Sequence, residues 1–119
     1  MDNIEQEIQA KGLTAPRVTP VQIHETIKGE YYFLASDGVE AADREQCNDL
    51  MHWQSMRLMT FCVLVLANGF TVTGESACAS PENFDAELGR KIARANAVNK
   101  IWPLEGYLLK QRLSETSER

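Results

Sequence analysis

The chain is short of the residue types that carry most catalysis and metal binding. Its 119 residues include only two histidines and three cysteines. His24 and His52 stand alone, with no partner at metal-ligand spacing. Cys47, Cys62 and Cys78 form neither a CxxC nor a Cys/His pattern. An odd cysteine count without such spacing argues against a disulfide framework and against a zinc site. Long apolar runs are also missing. The longest, from Phe61 to Ala67, falls far short of the roughly 20 residues that a membrane helix needs. No signal-type apolar stretch with a small-residue cleavage site opens the sequence, so a reducing cytoplasm is the expected compartment. Positive charge is scarce, and the net charge of −5 makes the molecule a poor counterpart for long nucleic acid.

Phosphate-loop and dinucleotide fingerprints are absent as well. Ser76 and Cys78 lie close together, but Thr73-Gly74-Glu75-Ser76-Ala77 is not a nucleophile elbow and no histidine follows it. Composition and motifs therefore give an expectation of no enzyme, no cofactor and no metal.

What is present suits one small globular domain. Apolar residues make up 44% and charged residues 24%, ordinary values for a soluble fold. The organisation expected is an N-terminal helical arm over 1–29, an antiparallel sheet with a variable loop over 30–78, and C-terminal helices over 79–113. Ile4 and Ile8 predict a short first helix stopped by Gly12. Thr19, Pro20 and Gln22 predict a second helix with a capping box, ending near Gly29. Residues 30–35, rich in aromatics, read as a strand ended by the turn pair Asp37-Gly38. The acidic stretch 38–55 has no clear period and reads as a surface loop with at most a short helical turn.

Residues 56–66 read as a central or interface strand, apolar on both faces. Asn68-Gly69 supplies a tight hairpin turn, and Phe70 to Thr73 returns as the partner strand. Thr73 to Cys78 then reads as a polar turn, where Glu75 answers the N-terminal donors of the next helix. From Asp85 the period becomes helical, with Leu88, Ile92, Ala95 and Trp102 on one side. Pro103 is expected to kink this helix or divide it. The fold class predicted is α+β: a small antiparallel sheet packed against two C-terminal helical segments.

Charge is unevenly placed. Residues 1–85 hold 5 basic and 13 acidic side chains, whereas residues 86–119 hold 7 basic and 4 acidic. Within the basic part, Arg90 and Arg94 fall within two turns of one helix, beside Lys91 and Asn96. Arginine suits bidentate phosphate contact, and an amide such as Asn96 can read a base edge. Phe84 at the helix entrance could stack on a purine or staple the helix to the core. Arg57 reads as the only basic side chain of the central strand. Arg57, Phe84, Arg90, Arg94 and Asn96 thus sketch a ligand site for a nucleotide phosphate, without catalytic machinery.

A resemblance adds to this reading. Phe61-Cys62-Val63-Leu64-Val65-Leu66, then Asn68-Gly69-Phe70-Thr71-Val72-Thr73-Gly74-Glu75-Ser76-Ala77-Cys78, Pro81-Glu82-Asn83-Phe84-Asp85, Gly89-Arg90-Lys91-Ile92-Ala93 and Lys100-Ile101-Trp102-Pro103-Leu104-Glu105-Gly106-Tyr107 resemble the signature of a small tailed-phage and prophage protein family. That family is named after proteins of two enterobacterial phages. Ile8 to Pro20 fits it too.

The same architecture resembles the first type of anti-Thoeris phage protein. Those proteins are sponges that hold cyclic ADP-ribose-type and cyclic nucleotide signals of bacterial defence without cleaving them. The resemblance implies a small anionic nucleotide as partner, no membrane, and assembly as a homodimer or hexamer. The five candidate residues rest on their own chemistry and are not carried over from that group. The alternative expectation is a small acidic phage protein that binds and modulates a host protein through residues 37–49.

Overall fold

The computed structural model describes residues 2–117. The fold is α+β, as the patterning predicts. Helix α1 (Asp2–Ala10) ends where Gly12 turns left-handed at φ 67°. There the N–H groups of Gly12 and Leu13 donate to the carbonyls of Gln9 and Ile8, the paired bonds of a Schellman stop. Helix α2 (Pro20–Glu25) is capped by Thr19, whose hydroxyl accepts from the Gln22 N–H at 3.2 Å. Gln22 does not close a capping box. Its side chain donates instead to Glu105 of the last helix, at 3.2 Å. Helix α2 also stops four residues short of Gly29, because β1 (Ile27–Leu34) begins at once. Gly29 sits in that strand beside a register shift.

Strands β2 (Met59–Leu66) and β3 (Thr71–Ala77) complete a three-stranded antiparallel sheet in the order β1-β2-β3. The hairpin between them differs in detail from the expectation. Only Gly69 takes a positive φ, 89°, and Asn68 does not. The Gly69 N–H donates to Leu66 O, and the Leu66 N–H donates to Phe70 O. This is a three-residue loop closed by a left-handed glycine. The Asn68 side chain accepts from the Phe70 N–H at 2.9 Å.

The acidic stretch is helical, not a loop. Helix α3 (Ala35–Asp43), a 3-10 turn (Arg44–Gln46) and helix α4 (Leu50–Met56) occupy it. The acids themselves are the reason. Asp37 accepts from the Leu34 N–H, Asp43 from the Glu45 N–H, and Asp49 from the N–H groups of Met51 and His52. Each satisfies a helix-start donor that has no partner within its own helix. Asp37-Gly38 consequently lies in the first turn of α3 and does not make a free turn.

Helix α5 (Ala86–Asn99) lies on one face of the sheet, starting from Asp85, which accepts from the Leu88 N–H. Its buried face is Gly89, Ala93 and Ala97, not the expected Leu88 and Ile92, which are 54% and 44% exposed. Close approach decides this. A Cβ at Gly74 would collide with the Ala93 carbonyl and the Ala97 backbone nitrogen, so the helix touches the sheet backbone to backbone and only small residues fit between. Cys62, Leu64, Leu66, Val72, Ala93, Ala97, Ile101 and Ile23 form the core. Lys100 caps α5, and α6 (Ile101–Ser117) follows directly. The division thus falls just before Pro103, which sits in the first turn of α6, where a missing N–H costs nothing.

Candidate functional site

The alternating strand pattern puts Tyr32 and Leu34 of β1, with Thr60 of β2, on the face that α5 covers. Helix α5 packs over β2 and β3 and leaves a gap beside β1. A cavity of about 230 Å³ opens there, lined by Tyr32, Leu34, Asp37, Thr60, Phe84 and Arg90 among others. Phe84 ends the 3-10 turn Pro81–Asn83 in extended backbone and is half-buried. Arg90 stands one turn into α5 and is exposed.

Of the five residues picked from the sequence, Phe84 and Arg90 meet at this cavity. Arg94 follows one turn later on the same flank, but its Nε donates to Glu30 Oε1 at 2.7 Å. That ion pair ties α5 to β1. Asn96 points to the other side of α5, where its amide donates to the Glu75 carbonyl at 2.8 Å and holds the outer edge of β3. Arg57 caps the C-terminus of α4 and lies outside β2, contrary to its expected place in the central strand. Lys91 pairs with Glu87 at 3.4 Å. Among the described residues, Arg90 is the member of the Arg90, Lys91 and Arg94 cluster that makes no ion pair.

Glu75 does not answer the helix start. Strand β3 runs through the supposed polar turn to Ala77, and Glu75 lies opposite Phe61 on the face away from α5. Burial, with Cys62 and Glu30 close by, pushes the Tyr32 hydroxyl above its usual range. Asp37 is the one acid at the cavity, and its carboxylate is engaged by the Leu34 N–H at 2.9 Å.

Cys62 is fully buried and its thiol is pushed up by burial. Cys78 donates to the Ser80 carbonyl. His52 lies 3.8 Å from Asp49 within one helix turn. Among the described residues no three His, Cys, Asp or Glu side chains gather as a metal site, and no helix is long and apolar enough to cross a membrane.

One feature escaped sequence reasoning: a cleft of about 590 Å³ between the hairpin tip and α6, lined by Leu66, Phe70, Leu104, Tyr107 and Leu108. Its signal was available in Tyr107 and Leu108, which fall beside Leu104 at helical spacing.

Comparison with known proteins gives a family match. The profile of a family described as phage protein (N4 Gp49/phage Sf6 gene 66) matches residues 18–113. No curated protein and no solved structure matches the chain significantly.

Proposed function

The chain belongs to the phage protein (N4 Gp49/phage Sf6 gene 66) family. We propose that it is a phage-encoded binding protein that sequesters a small anionic nucleotide. The ligand class is the one implied by the sequence resemblance: a cyclic nucleotide or cyclic ADP-ribose-type signal of bacterial anti-phage defence. Its work is to hold the signal, not to turn it over.

The observation that carries this reading is the meeting of Phe84 and Arg90 on one cavity. An aromatic face offers stacking to a base. An arginine without an ion pair offers two parallel N–H donors to a phosphate. Tyr32 lines the same cavity. At about 230 Å³ the cavity takes a base-sized group, and the remainder of a larger ligand lies outside, over Arg90.

The alternative, docking of a host protein on the acidic segment, has less support. Three of its five acids, Asp37, Asp43 and Asp49, are spent on backbone N–H groups.

The reading is tested by paired substitutions. Arg90→Ala and Phe84→Ala should each weaken nucleotide binding about tenfold or more, with the fold intact by circular dichroism. Unchanged affinity in both variants would remove this cavity from the account.

A further inference from the structure

Helices α3 and α4 and the turn between them line a cavity of about 380 Å³. It shares no lining residue with the cavity at Phe84 and Arg90. Three of its residues carry soft donor atoms: the Cys47 thiol, the His52 imidazole and the Met56 thioether.

Local structure brings these three to one place. His52 and Met56 are four residues apart on α4, the spacing that puts side chains one above the other on a helix face. Helical side chains lean toward the N-terminus, which directs Met56 toward His52 and His52 toward the turn that holds Cys47. Asp49 fixes that turn. Its Oδ1 accepts from the N–H groups of Met51 and His52 at 2.9 and 3.2 Å, and so starts α4. Its carbonyl accepts a weak bond from the Cys47 thiol at 3.6 Å. Its Oδ2 lies 3.8 Å from His52 Nε2. A carboxylate beside one imidazole nitrogen leaves the other, Nδ1, for a metal, and this arrangement orients metal-bound histidines. Cys47 and Met56 are half-buried, while His52 is open to solvent, which gives an ion a way in.

The donor set selects the ion. Among the described residues no three His, Cys, Asp or Glu side chains gather as a metal site, and such a gathering is what zinc or a hard divalent cation requires. A third donor is present only when the Met56 thioether is counted. Thiolate and thioether together favour monovalent copper. Charge agrees with a cation. Residues 37–49 hold five acids against one base, Arg44, and a field of that sign raises the local concentration of positive ions.

We propose that Cys47, His52 and Met56 form a binding site for monovalent copper, with Asp49 positioning the imidazole. Binding forms a copper–sulfur bond at Cys47, and the thiol proton leaves to solvent. His52 and Met56 each donate a neutral lone pair. Copper keeps its oxidation state, and the thiolate cancels its charge. The site is separate from the nucleotide cavity, so the two readings stand or fall independently.

The experiment is an anaerobic titration of the full chain against monovalent copper held by bicinchoninate, a chelator whose colour fades as copper is withdrawn. Circular dichroism checks the folding of each variant. The wild type should withdraw one equivalent. Cys47→Ser should withdraw none, whereas Cys78→Ser, at a thiol outside this cavity, should match the wild type. Met56→Leu, close in volume, and His52→Gln should each weaken binding about tenfold or more. X-ray absorption at the copper edge should show that Met56→Leu loses one sulfur neighbour. No withdrawal by the wild type overturns the proposal. So does binding that persists in Cys47→Ser, or binding that Met56→Leu leaves unchanged in strength and in sulfur neighbours. Equimolar zinc that displaces the copper would overturn the assignment of the ion.

Discussion

Gly74 of β3 lies directly beneath Ala97 of α5, so close that a Cβ on the glycine would overlap the Ala97 backbone nitrogen and the Ala93 carbonyl. The contact sets the height of α5 above the sheet. It also explains why the buried face of that helix is made of glycine and alanine while Leu88 and Ile92 face outward. The obstructing atoms are backbone, so no rotamer change can relieve a larger residue at position 74.

Gly74→Ala is accordingly predicted to cost about 3 kcal/mol or more, at or beyond the upper end of ordinary overpacking. Gly74→Val should not fold. Urea denaturation of Gly74→Ala checks this, and a loss below about 1 kcal/mol would mean that α5 sits higher than described. Gly38→Ala, where the added Cβ would meet the Phe33 ring at an ordinary 3.6 Å, is the contrasting control.

Arg94 and Arg90 are one turn apart and are predicted to behave differently. Arg94→Ala removes the ion pair with Glu30, whose partners are 31% and 38% exposed. It should lower stability by only about 0.5–1 kcal/mol, the range of solvent-screened pairs. Arg90→Ala should leave stability unchanged and affect ligand affinity alone. Measuring both variants by denaturation and by titration separates the structural arginine from the binding one.

Charge at the cavity is mixed, and the sign of one change follows from it. Asp37 lines the same cavity as Arg90 and repels an anion there. Asp37→Asn keeps an acceptor for the Leu34 N–H while removing the charge, so nucleotide affinity should rise several-fold, about 0.5–1 kcal/mol. An unchanged affinity would place the bound phosphate away from Asp37.

The N-terminal arm should respond to acid. Glu5 accepts from both guanidinium nitrogens of Arg17, at 2.7 and 2.6 Å. Those bonds, with a further one from Gln9, hold its carboxyl down from 4.5 to about 2. A group depressed in the folded state contributes above its unfolded pKa, and the contribution is lost as pH falls toward the folded value. The link between α1 and the segment after Gly12 should therefore weaken between about pH 4.5 and 2. The expected readout is the Glu5 carboxyl 13C shift, which should titrate with a midpoint well below 4.5 in the wild type and return toward the ordinary carboxylate range in Arg17→Ala. An undepressed midpoint in the wild type would contradict the pairing.

Thiol reactivity gives an independent check on the core. Cys47 and Cys78 are half-buried, while Cys62 is sealed under α5 with its thiol pushed up by burial. In the native protein Cys47 and Cys78 should react with an aromatic disulfide reagent in minutes, and Cys62 only on unfolding.

Local chemistry made the fold class, the hairpin, the stop at Gly12, the cap at Thr19 and the break near Pro103 legible in the sequence. Three things were not. The acids of residues 37–49 read as a solvated loop because capping acids and surface acids have the same composition. Only their N–H partners tell them apart. The inner face of α5 was misplaced because hydrophobic periodicity seeks large residues, whereas contact with Gly74 selects small ones. The site was half legible. Helical spacing put Arg90 and Arg94 on one flank, but that Glu30 engages one and not the other depends on a strand about 60 residues away, which no local pattern reports.

The most direct test of the central claim is calorimetric titration of the purified protein with a panel of cyclic nucleotides and cyclic ADP-ribose isomers, followed by denaturation and recovery of the ligand. The account predicts tight, saturable binding of one member, recovered intact, and lost in Arg90→Ala. No heat with any member, or recovery of hydrolysed nucleotide alone, would contradict it.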